Sequence, residues 1–93
     1  MTLPLPHGWT LERIRHVSGA ETAVVLPADQ AAAVWRPGLG YNPISPDLVL
    51  GFDGLCLAHV ADDGWYMGSI NPDGSLSCWA YYADDLYEAL RGL

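Results

Sequence analysis

Three short breaks, Asp53-Gly54, Ala61-Asp62-Asp63-Gly64 and Asn71-Pro72-Asp73-Gly74, punctuate the second half of this chain at even spacing. Each carries what a tight reversal needs. Glycine tolerates positive φ, proline fixes φ, and Asp or Asn side chains bond to their own backbone. The runs between them, Leu48–Phe52, Leu55–Val60, Trp65–Ile70 and Ser75–Tyr82, are rich in aromatic, β-branched and other apolar residues. The pattern predicts four consecutive strands in an antiparallel meander.

A short amphipathic helix is predicted next, over about Asp85–Arg91. Asp85 followed by Glu88 has the capping-box spacing, and Gly92 suits the C-terminal end. Leu86, Ala89, Leu90 and Leu93 fall on one helical face and should pack on the sheet.

The first half is less regular. Leu3-Pro4-Leu5-Pro6 reads as an extended segment over residues 1–6, because proline disfavours helix in itself and in the residue before it. From His7 to Val17, Trp9 and Leu11 alternate like a strand, whereas Leu11, Ile14 and Val17 step by three like a helix. The reading adopted is a strand bulged near Glu12-Arg13, turned by Ser18-Gly19-Ala20 into a second strand ending at Leu26. Asp29 is a candidate N-cap for a helix over Gln30–Arg36, stopped by Pro37 and Gly38. Residues 37–47 hold three prolines and two glycines and read as a loop. The fold expected is thus α+β: one small domain over residues 1–93, a mostly antiparallel β-meander with one or two short helices packed on it.

Charge is the strongest functional signal. Eleven acids face four bases, giving a net charge of −7. Up to Pro46 the chain is balanced, with Glu12, Glu21 and Asp29 against Arg13, Arg15 and Arg36. From Asp47 onward Asp47, Asp53, Asp62, Asp63, Asp73, Asp84, Asp85 and Glu88 face only Arg91. Binding a phosphate backbone requires clustered Lys or Arg, so no nucleic-acid partner is expected. A basic protein surface or a cation is the natural counterpart. Half of the residues are hydrophobic, with four Trp and five Tyr, and a domain this small leaves part of that surface outside. Self-association, including a homodimer, would use the same surplus. No signal-peptide pattern and no membrane-spanning apolar run is present, which makes the cytoplasm the expected location.

In a meander, alternate turns lie at opposite ends of the sheet. Asp53-Gly54 and Asp73-Gly74 should share one end, and Asp62-Asp63 should share the other with Asp84-Asp85. Along Ser75–Tyr82 one parity carries Leu76, Cys78, Ala80 and Tyr82, the other Ser75, Ser77, Trp79 and Tyr81. Asp62, Asp63, Asp84 and Asp85, with Trp79 and Tyr81 as aromatic anchors, are therefore the candidate partner-binding residues. Asp is equally favoured in turns and helix caps for local reasons, so the same residues have a purely structural reading.

No catalytic, cofactor-binding or metal-binding set is expected. Cys56 and His59, three apart on one strand, point to opposite faces and cannot form a nucleophile–base pair. Cys56 and Cys78 should lie on the first and third of three strands, ~9.5 Å apart, too far to bridge. His7, His16 and His59 are scattered, and Gly38-Leu39-Gly40 lacks the third glycine and context of a phosphate loop. The absence of lysine removes Schiff-base and P-loop chemistry. Two function classes remain: a small acidic interaction module of the inhibitor, immunity, antitoxin or nucleic-acid-mimic kind, and a small-molecule binder or enzyme with its site near Tyr41-Asn42 in the 37–47 loop.

Overall fold

A computed structural model describes residues 5–6, 8–26, 33–35, 42–61 and 63–93. The four segments between the Asp-Gly breaks form the expected meander. They are β4 (Leu48–Phe52), β5 (Leu55–Val60), β6 (Gly64–Ile70) and β7 (Leu76–Tyr81), paired antiparallel in sequence order. The β4–β5 reversal has positive φ at both central residues, Asp53 and Gly54, with Phe52 opposite Leu55. That is the mirror-image turn whose twist suits a two-residue hairpin. The β6–β7 reversal closes with Gly74 N donating to Asn71 O at 2.9 Å.

Three shorter strands extend the meander. These are β1 (Val24–Leu26), β2 (Ala33–Trp35) and β3 (Asn42–Ile44), in the order β1-β4-β5-β6-β7-β2-β3. The sheet is mixed, because β2 runs parallel to β7 while every other pair is antiparallel, and it curls into a half-barrel. The helix expected over Gln30–Arg36 is corrected at Ala33–Trp35, which form β2; Asp29, its expected cap, lies outside the described residues. Pairing to β7 and burial of Ala33 outweigh the helical preference of a short Ala run. The loop expected over residues 37–47 is likewise corrected at Asn42–Ile44, which form β3. Proline is tolerated there because β3 stands last in the strand order.

The strand expected over His7–Val17 is a helix instead, α1 (Leu11–Ser18). The Thr10 hydroxyl accepts from Arg13 N at 3.1 Å, and Gly19 closes the far end at φ 75°. Those caps favour the period of three in Leu11, Ile14 and Val17 over the period of two, and Ile14 is fully buried. The strand that follows is confined to Val24–Leu26, since Glu21 and Thr22 form a turn. At the other terminus α2 (Leu86–Arg91) forms as expected, with Asp85 accepting from Glu88 N at 3.1 Å.

Both faces of the sheet are covered. On one, α1 and α2 pack over Leu48, Leu50, Phe52, Leu57, Trp65 and Met67. On the other, Val49, Cys56, Ala58, Tyr66, Leu76 and Cys78 form a second core with Ala33 and Trp35 of β2 and Leu26 of β1. Met67 pairs with Ala80 but Gly68 pairs with Cys78, so Trp79 is an extra residue on β7. This bulge corrects the parity expected along Ser75–Tyr82. Tyr81 packs against Tyr66 of the second core, ring centroids 4.9 Å apart, while Trp79 Nε1 reaches Ser69 Oγ at 3.4 Å. Ser69 alternates with Gly68 and Ile70, so Trp79 sits on the helix-bearing face and Tyr81 on the opposite one.

Asp85→Ala should cost about 1 kcal/mol in urea denaturation, and Asp85→Asn should cost little, because asparagine also caps. An Asp84→Ala variant that loses more than Asp85→Ala would move the cap by one residue.

Candidate interaction surface

The turn between β5 and β6 is locked to the turn that enters α2. Trp65 N donates to Ala83 O at 2.7 Å, and Tyr82 N donates to Trp65 O at 2.9 Å. Glycine is required at position 64, because φ is 144° and a Cβ would run into the Ala83 backbone, with Cα at 2.8 Å. Asp63 is thereby brought beside residues 83–85. The two other turns share the far end of the sheet, where Ile70 N donates to Gly54 O at 2.9 Å.

Asp63 organises its end. Tyr66 donates its hydroxyl to Asp63 Oδ2 at 2.6 Å. The Tyr81 hydroxyl lies 2.7 Å from Asp63 O and 3.1 Å from Oδ1, and shares its one proton between them. Trp35 meets the Tyr66 ring edge-on at 5.0 Å, and the Tyr66 and Tyr81 rings are tilted by 46°. Trp35, Tyr66 and Tyr81 thus form a run of edge-on and tilted rings from the second core to solvent, where Tyr81 is 44% exposed. Burial, followed by the bond to Asp63 and its charge, pushes the Tyr66 hydroxyl up to about 12. Tyr81 is raised as well, by desolvation first and then by Asp63 and Asp84, whose negative charges disfavour a phenolate.

Of the residues singled out from sequence, Asp63, Asp84 and Tyr81 come together. Asp85 adjoins them, but its carboxylate caps α2. Trp79, 50% exposed, is separated from Tyr81 by the thickness of the sheet. Asp62 lies outside the described residues. Asp47, outside the expected group, lies at the same end, its Oδ1 2.7 Å from His59 Nδ1, with Asp47 N donating to His59 O at 2.8 Å. The His59 ring leans on Trp65 at 4.9 Å, so this pair faces the helices and Cys56 does not. At the far end, Asp73 is held below the usual carboxylate range by the Ser75 hydroxyl and then by Ser75 N–H, which is local turn chemistry.

Other side chains considered from sequence lie elsewhere in the structure. Cys56 and Cys78 are free, buried, and aligned across Gly68, with β6 between their strands as expected. The contact with Cys78 and then burial hold Cys56 as a thiol. Asn42 of the alternative site reaches Trp35 O at a long 3.5 Å, and Tyr41 lies outside the described residues. Among the described residues no group of three or more His, Cys, Asp or Glu converges as a metal site, and no helix is long and apolar enough to cross a membrane. No protein-family model, curated protein or solved structure matches the chain.

The sign of the Tyr66 shift gives a pH dependence. Its folded value of about 12 lies above the ordinary 10.0, so the neutral phenol stabilises the fold. That contribution is complete below pH ~10 and is lost as pH rises toward ~12. In an absorbance titration one tyrosine should ionise well after the exposed ones, and Tyr66→Phe should remove that step. Co-titration of every tyrosine near pH ~10 would contradict the Tyr66–Asp63 bond.

Proposed function

We propose that this chain is a small acidic interaction module that binds a basic protein surface, in the manner of an inhibitor, an immunity or antitoxin protein, or a nucleic-acid mimic. The carrying observation is the end of the sheet where Asp63 holds the exposed Tyr81 by its hydroxyl and Asp84 and the helix cap Asp85 follow three and four residues on, on a chain whose whole net charge of −7 arises after Pro46. Carboxylates at the rim steer a basic partner into encounter, and a supported aromatic supplies contact energy once water is displaced. The separation of Trp79 from Tyr81 refines the role of the anchors. Tyr81 belongs to the acidic surface, and Trp79 belongs to another.

The test uses affinity capture followed by kinetics on the captured protein. At ~0.05 M salt the wild type should retain a stoichiometric basic protein that ~0.5 M salt releases, because charge steering is screened beyond a Debye length. Asp63→Asn, Asp84→Asn and Asp85→Asn together should lower the association rate and flatten its salt dependence. Tyr81→Ala should mainly raise the dissociation rate, and Trp79→Ala should leave both rates unchanged. A salt-insensitive association, or a co-purifying small molecule with no protein partner, would overturn the proposal in favour of a ligand-binding protein.

A further inference from the structure

We infer that the outward face of Tyr81 is the seat for one guanidinium of the partner, an arginine side chain stacked on the ring with Asp63 and Asp84 beside it. This rests on the interaction reading above and specifies its chemistry.

Three observations converge on Tyr81. The ring is backed by Tyr66 at 4.9 Å, which is itself backed by Trp35 at 5.0 Å. Its hydroxyl is tied to the Asp63 carbonyl and carboxylate at 2.7 and 3.1 Å. A ring held at its tip and supported behind loses little further freedom when a ligand stacks on it, which is where much of the cost of binding arises. The ring remains 44% exposed, and Asp84 follows it by three residues, next to Ala83, whose carbonyl is fixed by Trp65 N at 2.7 Å at the same end of the sheet.

The occupant follows from charge complementarity. A tyrosine face attracts a cation through its quadrupole, and two adjacent carboxylates add direct attraction. A guanidinium is planar and weakly hydrated, so it stacks on the ring while its N–H groups reach sideways to carboxylate oxygens. An ammonium is compact and strongly hydrated, and cannot satisfy both contacts as well. Two of the chain's own arginines are placed on other rings, Arg13 over Trp9 at 4.2 Å and Arg91 over Tyr87 at 5.7 Å, which shows the same pairing used within the fold.

The test is a heteronuclear NMR titration of the labelled protein with acetyl-Gly-Arg-Gly-amide, and in parallel with its lysine counterpart. The arginine peptide should shift the amides of Asp63, Tyr81, Ala83 and Asp84 in a saturable way, and should bind about threefold or more tightly than the lysine peptide. Tyr81→Leu should weaken the arginine peptide by about threefold or more, and Asp84→Asn should weaken it and reduce its salt dependence. Unchanged spectra away from the site report that each variant is folded. Shifts centred on other residues, such as the Asp53 and Asp73 turns, would overturn the seat while leaving the acidic-module reading intact. Equal binding of the two peptides would overturn the choice of guanidinium. No shift anywhere at ~0.05 M salt would overturn both the seat and the reading it rests on.

Discussion

The close approach of β7 to β6 at Gly68 governs much of the architecture. A Cβ at that position would collide with the Ser77 carbonyl and stand 2.6 Å from Cys78 Cα. Only glycine leaves room for both backbones. Directly beyond it, Trp79 is extruded as the extra residue of the bulge, and every residue of β7 after it changes face. Tyr81 therefore joins Tyr66 and Trp35, whereas Ala80 and Tyr82 pack with the helix-bearing core. The same missing side chain lets Cys56 and Cys78 face one another in the second core.

Two cores on a chain of 93 residues require that the central strands be apolar on both sides. β4 is buried at all five positions, and β6 at its first five. Such strands depend on coverings from elsewhere in the chain. The helices, capped by Thr10 and Asp85, supply one; on the other face Leu26 of β1 and Ala33 and Trp35 of β2 extend the second core sideways along the curled sheet. The polar residues left over gather at the strand ends, where Asp63 can serve two phenols and the turn backbone at once. The acidic groups at this end are thus the ones that finish the sheet.

The meander and the last helix were legible because their signals are local. Asp53-Gly54 and Asn71-Pro72-Asp73-Gly74 define reversals by backbone chemistry alone, and Asp85 caps whatever helix follows it. The gathering of Asp63 with Asp84 followed from counting turns. Counting outward from Phe52–Leu55 also sets Leu48 opposite His59, so Asp47 could have been placed at the same end. The rest depends on partners distant in sequence. Ala33–Trp35 becomes a strand because β7 offers an edge, which no local propensity reports. The faces of Trp79 and Tyr81 were misassigned because alternation presumes an unbroken register, and the available hint was a glycine inside an aromatic strand. For α1, Thr10 and Gly19 were legible caps that outweigh the alternation of Trp9 and Leu11.

Backbone contact at Gly68 sets the bulge and the faces beyond it, and a pair of alanine substitutions tests that role most directly. At Gly51 a Cβ meets only the Leu26 side chain, at 2.9 Å, which can move aside. At Gly68 it meets backbone that cannot move without undoing the bulge. Urea denaturation of both variants should show Gly68→Ala destabilised by about 3 kcal/mol or more, and Gly51→Ala by distinctly less. In the folded fraction of Gly68→Ala, the Tyr66–Tyr81 ring contact should also be lost from the NMR spectrum. A Gly68→Ala protein as stable as Gly51→Ala, with that ring contact intact, would contradict this role of Gly68.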